Sequence, residues 1–129
     1  MNPVVEGYFR ALDEDLAAAR LLMGSVPRAS AFHLQQAAEK LVKAILSAEA
    51  IHAGAGHNIG QLVALLPGGH EWKADLVELD YLSQFATTFR YPSEAGTLKP
   101  APGKDRLEEF ANLIATLSDD AKSWCGTGP

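Results

Sequence analysis

Apolar residues recur every three or four positions along most of the chain, and the recurrence breaks where Gly and Pro cluster. The breaks fall at Gly24 to Pro27, Gly54 to Gly60, Pro67 to Gly69 and Pro92 to Gly103, with long stretches free of proline between them. In the first stretch, about Pro3 to Met23, Val5, Phe9, Leu12, Leu16 and Ala19 share a helical face, and Asp13, Glu14 and Asp15 occupy another. Pro3 suits a first helical turn. The second stretch, about Ala29 to Ile51, aligns Leu34, Ala38, Leu41, Ile45 and Ala48, and leaves Gln36, Lys40, Lys43 and Ser47 as its solvated side. Asn58, followed three residues later by Gln61, signals the start of a short third helix through Leu62, Val63, Leu65 and Leu66. A fourth helix is expected from about Lys73 to Phe89, with Leu76, Leu79, Leu82, Ala86 and Phe89 inward. After a proline-rich loop, Asp105 and Glu108 open a last helix whose inward residues are Phe110, Leu113, Ile114, Leu117 and Trp124.

Four long helices and one short one predict an all-α fold, an antiparallel up-and-down helical bundle formed by one domain over residues 1–129. The tail, residues 126–129, is expected to be disordered. Composition strengthens this picture. Ala and Leu together number 38 and Val and Ile only 10, an excess of helix formers over β-branched residues. The single cysteine, Cys125, excludes an intrachain disulfide framework and a Cys-rich zinc module. No apolar run has the length of a membrane span or the position of a signal peptide, so the expected setting is the cytoplasm, with no membrane partner. A net charge of −5 argues against broad electrostatic adhesion to nucleic acid.

Alternating helices assign residues to ends. Arg20, Arg28, Arg90, Lys99, Lys104 and Arg106 are expected at the front end, where the second and last helices begin. His52, His57, His70, Asp119, Asp120 and Cys125 are expected at the far end. The far-end histidines fit no zinc-ligand spacing and read as solvated loop residues, so no metal site and no cofactor is expected. His33 borders the apolar stripe of the second helix. It is either a packing histidine or a group that exchanges a proton or faces a phosphate. Arg90 either caps its helix or grips phosphate oxygens, and Tyr91 either seals the core or stacks on a base. Asp80, Ser83, Gln84, Thr87 and Arg90 form a polar stripe that either faces water or borders a partner. Topology places His33 and Arg90 near one another at the front end, with the start of the second helix adding backbone donors for an anion.

Three pieces stand in order along the chain: AFHLQQAAEKLVKAIL from Ala31 to Leu46, HNIGQLVALL from His57, and FRYPSE from Phe89 to Glu94. Together they resemble the HEPN family, the higher eukaryotes and prokaryotes nucleotide-binding domains, over about Val5 to Leu117. The resemblance implies an all-α bundle, frequently a homodimer, often encoded beside a minimal nucleotidyltransferase. It also implies a nucleotide or RNA ligand, for which His33, Arg90 and Tyr91 are the ligand-binding candidates.

Nuclease members of that family carry an Arg-x4-6-His motif. Arg28-Ala-Ser-Ala-Phe-His33 meets the bare spacing, but Ala29 lacks the expected polar character and the match lies on the second helix instead of a later one. His33, Arg90 and Arg28 are therefore the catalytic candidates of an alternative reading, a metal-independent ribonuclease toxin of a toxin–antitoxin pair. The leading reading is a binding module without catalysis of its own, and a purely structural helical adaptor is the third.

Overall fold

The computed structural model describes residues 1–87 and 91–127. Helix α1 spans Pro3–Leu22, α2 Pro27–Ala48, α3 Ile59–Val63, α4 Lys73–Glu78 and α5 Lys104–Thr127, and a 3₁₀ segment, Leu79–Ala86, continues directly from α4. No strand occurs among the described residues, and the all-helical expectation holds. Asn2 caps α1 by accepting from the Val5 N–H at 2.9 Å, which leaves Pro3 in the first turn, where its missing donor costs nothing. Asn58 caps α3 in the same way, accepting from the Gln61 N–H at 2.9 Å.

Among the described residues the bundle has three long helices instead of four. The expected fourth helix is six α-helical residues and then eight in 3₁₀ winding. Its buried residues explain the change. Leu76, Leu79, Leu82 and Phe85 are all buried and all three positions apart. An α-helix rotates such a row away from the core, whereas three residues per turn keep it on one line. Phe85 therefore takes the inward place expected of Ala86, which is half-buried; Phe89 lies outside the described residues.

Helix α2 is the centre of the molecule and packs against α1, α3, the 3₁₀ segment and α5. Its expected solvated side is half-buried along its length, at Gln36, Lys40, Lys43 and Ser47. A buried hydrogen bond from the Ser30 hydroxyl to the Ala19 carbonyl, 2.8 Å, fixes the α1–α2 hairpin. Helix α2 ends with the Ile51 N–H on the Leu46 carbonyl and the Ala50 N–H on the Ser47 carbonyl, a closure that puts Ala50 at φ 58°. In α5, Trp124 departs from its expected inward position. It is 39% exposed and meets Trp72 edge-on, with ring centroids 5.8 Å apart.

The short α3 is held from outside itself. The Gly60 N–H donates to Asp80 Oδ1 at 2.8 Å, the Ile59 N–H donates to the Ser83 hydroxyl at 2.9 Å, and that hydroxyl donates to Asp80 Oδ1 at 3.0 Å. The polar stripe of the fourth segment thus has an internal task. Its Asp80 and Ser83 satisfy backbone donors that a five-residue helix leaves open.

Candidate functional site

The polar side chains of α2 form two groups. In the first, Asp15 of α1 accepts from two α2 residues, from His33 Nδ1 at 2.9 Å and from Lys40 Nζ. A carboxylate only accepts, so the ring proton sits on Nδ1, and Nε2 is the acceptor of the neutral imidazole. The His33 side chain is 31% exposed, and no described residue bonds its Nε2. The packing reading of His33 is therefore incomplete, because one ring nitrogen is committed and the other is not. Phe32 meets the same ring edge-on, with centroids 5.4 Å apart.

The second group is more deeply placed. Glu39 is 6% exposed and accepts from Gln35 Nε2 at 3.1 Å, Lys43 Nζ at 3.2 Å and His57 Nδ1 at 3.2 Å. Lys43 balances the carboxylate, and His57 ties the loop before α3 to the middle of α2, some distance from the far end where it was expected. The His57 side chain is still 70% exposed, as expected of a loop residue, whereas His70 is no solvated loop residue. Its side chain is 9% exposed, Nε2 contacts Glu49 at 2.9 Å and Nδ1 accepts from the Trp72 N–H at 3.2 Å. Among the described residues no group of three metal-ligating side chains converges.

The front end collects cations as the topology required, with their charge partly answered. Arg20, Lys104, Glu108 and Asn112 line one cleft, in which Arg20 donates to Asn112 Oδ1 at 3.3 Å. Arg28 donates to the Lys99 carbonyl, and the Arg106 guanidinium lies over the stacked rings of Tyr81 and Phe110, 5.2 and 4.8 Å from their centroids. Tyr91 does not seal the core, because it is 69% exposed. Arg90 lies outside the described residues, and so does its expected meeting with His33.

Two sequence expectations change with this geometry. Helix α2 begins at Pro27, so His33 sits six residues in, about 9 Å along the axis, too far to share the open backbone donors of the first turn. Arg28 and His33 are five positions apart on one helix, which turns them about 140° from each other. Arg28 accordingly reaches the loop at Lys99 while His33 reaches α1 at Asp15. The Arg-x4-His spacing is present in the sequence, but the helix points its two ends at different neighbours.

Sequence reasoning missed Asp15, Lys40 and Glu39 as site components. The AEK piece of α2 contained the signal, since a Glu and a Lys inside an apolar stretch need partners. At the coarsest level, a HEPN domain model matches residues 5–122 of the chain. The crystal structure of an archaeal HEPN homologue is similar throughout, at 26% identity and a TM-score of 0.69, over 97% of this chain and 99% of that one. A search of curated proteins gave no match.

Proposed function

The chain belongs to the HEPN family, and from that premise we propose that it is a binding module for a phosphate-bearing ligand, a nucleotide or the backbone of RNA. His33 is its central contact. The observation that carries this reading is the half-exposed imidazole whose Nδ1 is held by Asp15 and whose Nε2 has no partner among the described residues. Held in this way, the ring accepts a ribose hydroxyl when neutral and donates to a phosphate oxygen when protonated. Lys40 offsets the Asp15 charge beside it, so an anion approaching His33 meets no net negative group. Arg90 and Tyr91 complete the proposed site from the sequence: a permanent cation for the phosphate and an exposed ring for the base.

Family membership is what supports the rest of the reading. The working unit is a homodimer in the cytoplasm, acting with a minimal nucleotidyltransferase partner. No helix among the described residues is long and apolar enough to cross a membrane. The ribonuclease reading draws no support from Arg28 and His33, which diverge. The test is titration of labelled ATP and a short labelled RNA into the pure protein, repeated with folded His33→Ala and Arg90→Ala variants. Binding weakened by both substitutions supports the site; RNA cleavage without metal that is lost in His33→Ala moves the assignment to a nuclease.

A further inference from the structure

A second polar cleft lies between α1 and the last turns of α2, away from His33. Tyr8 of α1, Lys43 and Ser47 of α2, and His52 of the loop that follows line a space of about 230 Å³. Lys43 is ten residues further along α2 than His33, about 15 Å along the axis. Lys43 and Ser47 are four positions apart and so share one face of the helix. The loop wall is set by the end of α2, where the Ile51 N–H on the Leu46 carbonyl and the φ 58° of Ala50 turn the chain back. Ile51 and Ala53 then pack on the core, and His57 holds the same loop to Glu39. Every residue lining the cleft is among the described ones. The walls stand in place before anything binds, which removes much of the ordering cost of association.

The fold makes little use of the polar groups in this cleft. No described residue bonds the side chains of Tyr8, Ser47 or His52. The Lys43 side chain is only 12% exposed, and its ammonium, with three hydrogens to give, meets one partner, Glu39 Oε2 at 3.2 Å. Two hydroxyls, an imidazole and the remaining ammonium hydrogens therefore gather in a cleft that no acidic residue lines. Glu39 answers part of the lysine charge, but the same carboxylate also takes Gln35 and His57. Donors from three segments of the chain, one of them a cation, suit an oxyanion. Size excludes a whole nucleotide, because the space is smaller than the roughly 300 Å³ at which pockets for drug-sized ligands begin. Shape narrows the choice further. A planar carboxylate is matched by the flat fork of an arginine, whereas a lysine point charge with hydroxyls around it suits tetrahedral oxygens. We propose that the cleft between Tyr8, Lys43, Ser47 and His52 binds a small phosphoryl group, either free phosphate or the phosphate of a small phosphomonoester. It shares no residue with the site proposed at His33, so the two readings stand or fall separately.

The test is titration of inorganic phosphate, at constant ionic strength, into the nitrogen-15-labelled protein, read by the amide signals of Ser47 and His52. Both signals should shift and saturate in the millimolar range. Tyr8→Phe and Ser47→Ala each remove one hydroxyl that no described residue uses. Each should leave the urea midpoint unchanged and weaken phosphate binding about tenfold. His33→Ala should leave the Ser47 and His52 shifts and their affinity as they are. Acetate should bind at least about tenfold more weakly than phosphate. Methyl phosphate that binds as tightly as phosphate identifies a phosphomonoester as the ligand, and weaker binding identifies the free ion; either supports the site. The inference is overturned if neither signal shifts at tens of millimolar phosphate, if acetate matches phosphate, or if both hydroxyl variants bind as the native chain does. Shifts of Ser47 and His52 that vanish in His33→Ala would also overturn it, by assigning the anion to the other site.

Discussion

The Asp15 carboxylate of α1 accepts from His33 Nδ1 of α2 at 2.9 Å, so a residue on one helix sets which nitrogen the other offers outward. The same carboxylate takes Lys40 from the next turns of α2. One acidic side chain thus joins two helices and orients the imidazole on which the proposed function rests.

The orientation can be measured directly. Nitrogen-15 NMR of the imidazole should show the Nδ1-protonated form of neutral His33 in the native protein and a changed tautomer ratio in Asp15→Ala. The substitution should cost about 0.5–1.5 kcal/mol, since the lost contacts are partly exposed. An unchanged tautomer ratio would show that Asp15 does not set the ring.

Glu39 should matter more to stability than any surface acid. It is buried among Gln35, Lys43 and His57, and its removal strands the Lys43 ammonium, whose side chain is only 12% exposed. Glu39→Ala should cost about 3 kcal/mol in urea unfolding. A loss below about 0.5 kcal/mol would mean that the cluster adapts without its carboxylate.

These residues mark the boundary of what the sequence revealed. Helices α1, α2 and α5 were legible because their apolar residues repeat with the helical period and Pro3 and the Gly- and Pro-rich turns punctuate them. The 3₁₀ winding was not recognised, although the spacing of Leu76, Leu79, Leu82 and Phe85 carries it, because a three-residue period is easily absorbed into a 3.6-residue one. His33 was legible as a candidate, but its partner lies 18 positions away on another helix. The same separation hid the link between His57 and Glu39, and the link between His70 and Glu49 spans 21 positions. Helical periodicity reports which face a residue occupies; it does not report which charge waits opposite.

The end of α2 offers a stabilising change. Ala50 adopts φ 58°, a conformation that costs an L-residue about 1 kcal/mol and glycine nothing, in a closure where glycine is the usual occupant. Ala50→Gly should raise stability by up to about 1 kcal/mol in thermal or urea unfolding, while Gly60→Ala should lower it by about 1 kcal/mol. The added Gly60 Cβ would sit 2.8 Å from the Asp80 carboxylate that accepts the Gly60 N–H. Equal effects of the two substitutions would contradict both accounts.

Cys125 should be a sluggish thiol. Burial pushes its pKa up and the nearby N-terminal ammonium opposes this only in part, in a cleft that it shares with Met1, Asn2 and Val5. Iodoacetamide should alkylate it more slowly at neutral pH than a free thiol of the same concentration. A folded pKa above the unfolded one means tighter proton binding in the native state, so this contribution is intact below the ordinary thiol pKa and fades as pH rises through the folded value. Alkylation as fast as in the urea-unfolded chain would contradict the burial argument.

The proposed site holds a phosphate-bearing ligand at His33. Isothermal titration of a short RNA and of ATP into the native protein and into folded His33→Ala, at one fixed moderate salt concentration, addresses it most directly. At least one of the two should bind the native chain, with about a tenfold or greater loss of affinity in His33→Ala. Equal affinity in both proteins, or no binding to the native chain by either ligand, would contradict it.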